Sequence, residues 1–127
     1  KSSLLETFVR NELTNSRIVF TEQKRFEWLG FKSLDFFIPS LMVGIECHGI
    51  QHFKPIEFFG GEEAFKRCIS RDTEKKMKCD EHGVSLLYVT DSMELNDICH
   101  CHVGNLYTEV NTINKHRLKE KLTEIRE

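Results

Sequence analysis

Long apolar runs are missing from this sequence. No stretch approaches the roughly 18 residues that a membrane span needs, and no apolar segment behind a basic start marks a secretory signal. An excess of one charge is missing too. The 18 Lys and Arg residues face 20 Asp and Glu, for a formal net charge of −2 and a pI of about 6.3. This excludes a globally basic field, so a nucleic-acid partner has to be met by a local patch. Internal repeats and low-complexity stretches are absent, which excludes solenoids and disordered arrays. The first residue is Lys1 and not Met, so a longer parent protein is expected. The 5 cysteines are an odd number without a secretory signal. That points to a reducing, cytoplasmic compartment and not to a disulfide framework.

What is present is ordinary globular composition. Of 127 residues, 39% are hydrophobic and 30% charged, enough for one domain over residues 1–127. Residues 3–13 have a helical stripe of Leu5, Phe8, Val9 and Leu13, and Ser3 with Glu6 matches a capping box. Residues 17–21 fit a short strand. Residues 33–39 and 42–48 fit two strands joined at Ser40-Leu41, close enough to form an antiparallel hairpin. A Phe-rich loop ends in Gly60-Gly61. A long helix follows over 62–81, with His82-Gly83 as its stop. Residues 85–89 fit a buried strand, and Leu118, Leu122 and Ile125 mark a terminal helix. The expected order is α-β-β-β-α-β-α, a mixed α/β domain with a hairpin core and helices on both faces.

The hairpin carries the chemistry. Alternation puts Gly44, Glu46 and His48 on one side of their strand and Val43, Ile45 and Cys47 on the other. Asp35 lies on the neighbouring strand, opposed to Leu34 and Phe36. Carboxylates are scarce in strands and costly to bury unpaired. Two that converge repel unless a cation or proton lies between them, and carboxylate oxygens are what Mg²⁺ prefers. Asp35 and Glu46 are therefore candidate Mg²⁺ ligands, with Mn²⁺ able to substitute. The alternative is a structural ion pair with Lys or Arg from a helix. On the long helix, Phe65, Cys68, Ile69, Asp72, Lys76 and Cys79 share one face. Asp72 and Lys76 thus interrupt an apolar stripe, either as a local pair or as groups handed to the carboxylates. Lys66, Arg67, Arg71, Lys75, Lys76 and Lys78 form the local basic patch. They suit a DNA backbone or, alternatively, a solvated helix face.

The series Leu34-Asp35-Phe36, Ile45-Glu46-Cys47-His48-Gly49-Ile50-Gln51-His52 and Arg71-Asp72 resembles the PD-(D/E)XK nuclease superfamily. It is most similar to the branch holding the very-short-patch-repair endonuclease and the EDxHD homing endonucleases, over residues 3–89. The resemblance implies a restriction-endonuclease-like domain that hydrolyses phosphodiester bonds in double-stranded DNA. Glu6 then corresponds to the first-helix Glu and Asp35 to the metal-binding Asp. Glu46 or Cys47 falls at the variable third position, His52 at the catalytic His and Asp72 at the final Asp. The superfamily's Lys, two residues past Glu46, is His48 here. The apolar stripe of the first helix favours Glu12, whereas the resemblance picks Glu6.

Other signals are weaker. Cys99-His100-Cys101-His102, with Cys79 and His82, has the residue types of a zinc site. Cys-x-Cys is not the usual zinc pair, and no structural zinc is expected. Of Phe36, Phe37, Phe53, Phe58 and Phe59, only Phe58 and Phe59 suit a wedge between bases. The expected activity is a Mg²⁺-dependent homing or mobile-element endonuclease, acting as a homodimer on DNA if it cuts both strands. A mismatch-nicking repair enzyme and an inactive DNA-binding module are the alternatives.

Overall fold

The computed structural model describes residues 3–91, 106–108 and 111–127. Helix α1 spans Leu4–Asn15 and starts in a complete capping box. Ser3 Oγ accepts from the Glu6 N–H at 3.1 Å, and Glu6 Oε1 accepts from the Ser3 N–H at 3.2 Å. Both otherwise orphaned donors are thereby satisfied. Leu5, Val9 and Leu13 are the buried stripe.

Strand β1 spans Thr21–Lys24, not residues 17–21. Arg17 has a left-handed backbone (φ 57°) that turns the chain out of α1. Ile18 and Phe20 are then used as plugs against the core, and strand pairing begins only at Thr21. Strands β2 (Leu34–Ile38) and β3 (Val43–Cys47) form the expected antiparallel hairpin, with Phe36 opposite Ile45 and Phe37 opposite Gly44. Gly44 is needed there for space. A Cβ on it would lie 2.8 Å from Leu34 Cδ1 and 2.9 Å from Leu86 Cδ2. Leu34 therefore packs on the same side as Gly44 and Phe37, against simple alternation.

Helix α2 (Gly61–Glu81) crosses from β3 to β4 (Ser85–Thr90), which runs parallel to β3. Gly83, at φ 73°, ends the helix as its sequence position suggests. A fifth strand, β5 (Thr112–Asn114), adds parallel to β4, and α3 (Leu118–Arg126) closes the chain. Sequence periodicity does not reveal β5, because three residues are too few to set up an alternating pattern.

The result is a five-stranded mixed sheet in the order β1-β2-β3-β4-β5, with three α-helices among the described residues. One face packs Phe36, Ile38, Ile45, Leu87 and Val89 against α1 and α3. The other packs Leu34, Phe37, Leu86 and Tyr88 against Phe53, Cys79 of α2 and Tyr107. Strand β4 is covered on both faces, which explains its nearly unbroken apolar run. The end of the hairpin nearest Asp35 and Glu46 opens between α1 and α2.

Candidate functional site

Asp35 and Glu46 stand where the β2–β3 ladder gives way. The ladder bonds there are replaced by side-chain bonds. Glu46 Oε2 accepts from the Asp35 N–H, and Asp35 Oδ2 accepts from the Cys47 N–H, each at 2.8 Å. Each carboxylate thus satisfies a backbone donor on the other strand and stays fixed beside its neighbour. Lys75 of α2 reaches in and donates to Glu46 Oε1 at 2.5 Å and to the Ser33 carbonyl at 2.8 Å.

The helix therefore turns Lys75 toward the sheet, not Lys76. Cys68, Asp72, Lys75 and Cys79 follow at i, i+4, i+7 and i+11, one continuous inward stripe. Lys76 points away and pairs with Asp80 at 2.7 Å. The expected delivery of Asp72 and Lys76 is corrected to Asp72 and Lys75. The structural alternative of a helix cation beside the carboxylates is realised at Glu46.

Asp72 meets His52 at 2.8 Å through Nδ1. The ring of His48 stacks on that of His52, with centroids 3.8 Å apart and planes within 7°. Behind it, the Tyr107 hydroxyl lies 2.7 Å from His48 Nδ1. Cys68 Sγ lies 3.2 Å from His52 Nδ1 and 3.6 Å from Asp72 Oδ2.

Electrostatics divides these groups into two sets. Glu46 is held up to about 7, first by burial and then by the charge of Asp35, with Lys75 only partly compensating. Burial also raises Asp35, against the Cys47 N–H and Lys75. Lys75 is raised as well: its burial acts downward, but the Glu46 charge and hydrogen bond outweigh it. All three shifts have one meaning. Buried together, Asp35, Glu46 and Lys75 hold protons more tightly than the free groups do, the carboxyls first through burial and Lys75 through the Glu46 charge. In the second set, burial pushes Asp72 up, but the His52 hydrogen bond and the two imidazoles bring it net down, so it is ionised. Burial and the neighbouring His52 lower His48 to about 3. Both effects favour the neutral ring of His48, which stacks on His52.

Glu6, Asp35, Glu46, His48, His52 and Asp72 all line one cleft of about 400 Å³, together with Arg71 and Lys75. Glu12 is not in that lining, and Glu6, which is, also accepts from the Gln23 amide through Oε2 at 3.3 Å. His48, His52 and Asp72 bring ligand atoms within 4.8 Å of one another. Their geometry does not suit one ion bound by both rings. Imidazole lone pairs lie in the ring plane, and the two planes are stacked parallel. Asp35 and Glu46 offer a separate, all-oxygen pair of donors in the same cleft.

No protein-family model matches the chain. Over 92 residues, 72% of its length, it is 30% identical to the uncharacterized protein 033L of Invertebrate iridescent virus 3. Over 57 residues, 44% of its length, it is 37% identical to the uncharacterized protein 307L of Invertebrate iridescent virus 6. These matches span 40% and 29% of the two viral proteins, so the chain covers less than half of either.

Of the basic patch, Lys66, Arg67 and Arg71 are exposed, Lys66 lying 3.9 Å from Glu63, whereas Lys75 and Lys76 are half-buried in ion pairs with Glu46 and Asp80. Phe36, Phe37 and Phe53 are buried; Phe58 is 88% and Phe59 50% exposed. Cys79 is buried in the core and its thiol is pushed up to about 11 by burial, unlike a metal thiolate. His82 stacks on Trp28. Cys99, His100, Cys101 and His102 lie outside the described residues. Gln23, Cys68 and Tyr107 were not anticipated from sequence. Gln23 is opposite Asp35 in the β1–β2 register and has a left-handed backbone (φ 48°). It joins Glu6 to Ser33, whose hydroxyl donates to Gln23 Oε1 at 2.8 Å. Cys68 alone had a signal, its place on the stripe of α2.

Proposed function

We propose that this domain is a Mg²⁺-dependent DNA endonuclease with a restriction-endonuclease-like fold of the PD-(D/E)XK type. One observation carries the reading. Two carboxylates fixed across an opened hairpin share a cleft with a lysine and with a histidine oriented by an aspartate. Asp35 and Glu46 are the ligands proposed for Mg²⁺, which when bound polarises the phosphoryl oxygens and acidifies a water. Ionised Asp72 takes the Nδ1–H of His52, leaving the Nε2 lone pair to exchange a proton with water or the leaving oxygen. Lys75 supplies from α2 the positive charge that the superfamily's motif places two residues past its acid, where this chain has His48. Lys66, Arg67 and Arg71 follow the phosphate backbone.

The resemblance favours a homing or mobile-element enzyme over a mismatch-nicking one. One cleft cuts one strand, so a double-strand break requires two copies on DNA. The test is nicking of supercoiled plasmid with Mg²⁺, Mn²⁺ or EDTA. Nicking should need the metal and should vanish in Asp35→Ala while the variant stays folded. Cleavage by Asp35→Ala at the parent's rate would remove the assignment.

A second reading draws on Glu46, both of whose oxygens are already hydrogen-bonded, to Lys75 and to the Asp35 N–H. If that arrangement is permanent, the domain binds DNA without cutting it. Salt-sensitive binding with no metal-dependent nicking would select this reading.

A further inference from the structure

We propose that a second cleft, on the far side of His52, holds one unpaired nucleotide next to the bond that is cut. The substrate is then DNA with an unstacked base at that position, not uniformly paired duplex. The inference rests on the endonuclease reading above.

This cleft, of about 190 Å³, lies between the segment 51–59 and the first half of α2. His52 and Arg71 line both it and the carboxylate cleft, so they form the partition between the two. A phosphodiester held at His52 and Arg71 therefore has its neighbouring nucleoside at the mouth of the second cleft. Ile56, Phe59 and Phe65 give that cleft an apolar, aromatic wall. Lys54 and Arg71 bring two cations that enter no ion pair among the described residues. An aromatic face beside unpaired cations is the chemistry that receives a base and its phosphate. The space is below that of a drug-sized pocket and suits a single ring system, not a base pair.

The backbone builds this shape deliberately. Gly60 and Gly61 have φ of 101° and 64°, and a Cβ on Gly60 would lie 2.9 Å from Ala64 Cβ. Glycine suits this left-handed turn, at Gly60 also for want of room beside Ala64, and Phe59 lines the cleft together with Gly61 and Ala64 at the start of α2. A base inside a duplex cannot reach such a cleft without leaving its stack, and extrusion costs least where the base is already unpaired.

The test measures binding of the whole chain in EDTA, where no cutting occurs, by fluorescence anisotropy. The probes are labelled oligonucleotides of one sequence: fully paired, with a one-nucleotide bulge, with an abasic bulge, and single-stranded. The bulged and single-stranded probes should bind about tenfold tighter than the duplex, the size of one base–aromatic stacking contact. The abasic bulge should lose that gain. Phe59→Ala, at a half-exposed position, should abolish the preference, and Phe59→Trp should keep it. Equal affinity for paired and bulged DNA, or a preference unchanged in Phe59→Ala, would overturn the proposal. Adding Mg²⁺ separates the two claims. Asp35-dependent cleavage without the preference sinks the nucleotide cleft alone, whereas no Asp35-dependent cleavage of any probe sinks the endonuclease reading.

Discussion

Glu46 is only 3% exposed, yet it is a carboxylate beside another carboxylate. Burial and the Asp35 charge hold its carboxyl up to about 7, above the ordinary 4.5 that it regains on unfolding. The raised folded value means that its contribution to stability is fully present below pH 4.5 and is lost as pH rises through 7. The comparison of interest is with Glu46→Gln, which does not titrate. Between pH 4.5 and 8 the stability gap should move in the variant's favour by on the order of 3 kcal/mol. Denaturant melts at both pH values check this, and a gap that does not change would mean that Lys75 fully compensates the charge. The proposed metal ligation by the same two carboxylates predicts a metal effect without catalysis. Millimolar Mg²⁺ should raise the parent's melting temperature at pH 8 and leave Asp35→Ala unmoved, since binding only the native state stabilises it.

Glu6 has two roles that one substitution can separate. Its Oε1 closes the capping box and its Oε2 faces the cleft side, toward Gln23. Glu6→Gln keeps a capping acceptor but removes the charge. Stability should then change by less than about 0.5 kcal/mol while cleavage falls, whereas Ser3→Ala should cost about 1 kcal/mol and spare cleavage. Loss of cleavage in Ser3→Ala at full folding would break this division.

At the scale of the element, α2 is the organiser. Its inward stripe sets two charges between two thiols: Cys68, Asp72, Lys75, Cys79. The two adjacent lysines have opposite fates because 100° of helix rotation separates them. Lys76→Ala removes an exposed i,i+4 pair with Asp80 and should cost only about 0.3–0.5 kcal/mol. Lys75→Met strips the cation from a buried acid and should cost several kcal/mol at pH 8. Asp72 and His52 should behave as one unit. In single-turnover cleavage, the double variant Asp72→Asn/His52→Ala should be little slower than His52→Ala alone. Additive losses would show instead that Asp72 serves the fold and not His52.

For the whole molecule, two apolar layers clamp the sheet, and the cleft opens at one end between them. Leu122 of α3 is 1% exposed in the layer that also holds α1. Leu122→Ala should cost roughly 2–5 kcal/mol, as cavities in such layers do, and lower cleavage only through the folded fraction. Surface charge acts differently. With a net charge of −2 the molecule has no general attraction for DNA, so the proposed binding would have to rest on Lys66, Arg67 and Arg71. Affinity should fall steeply with salt. Arg67→Glu should weaken all sequences alike and flatten the salt slope, while a binding constant indifferent to salt would remove the backbone-tracking role.

Much of this was legible along the chain, where the information is periodic or local. The capping box at Ser3 and Glu6, the β2–β3 hairpin, the length of α2 and its stop at Gly83 all follow from spacing and turn chemistry. So does the meeting of Asp35 and Glu46, because alternation and a tight hairpin leave them little choice. Strand β1 was misplaced because the Arg17 turn and the plugging of Ile18 and Phe20 depend on a core that local pattern does not describe. Strand β5 was too short to show a period. Glu6 was picked by the family resemblance against the apolar stripe, which favoured Glu12, whereas the choice of Lys75 over Lys76 and the place of His48 behind His52 were decided by tertiary structure alone. Each depends on the angle at which a helix or loop meets the sheet, and neighbouring residues on a helix differ by more rotation than sequence periodicity resolves.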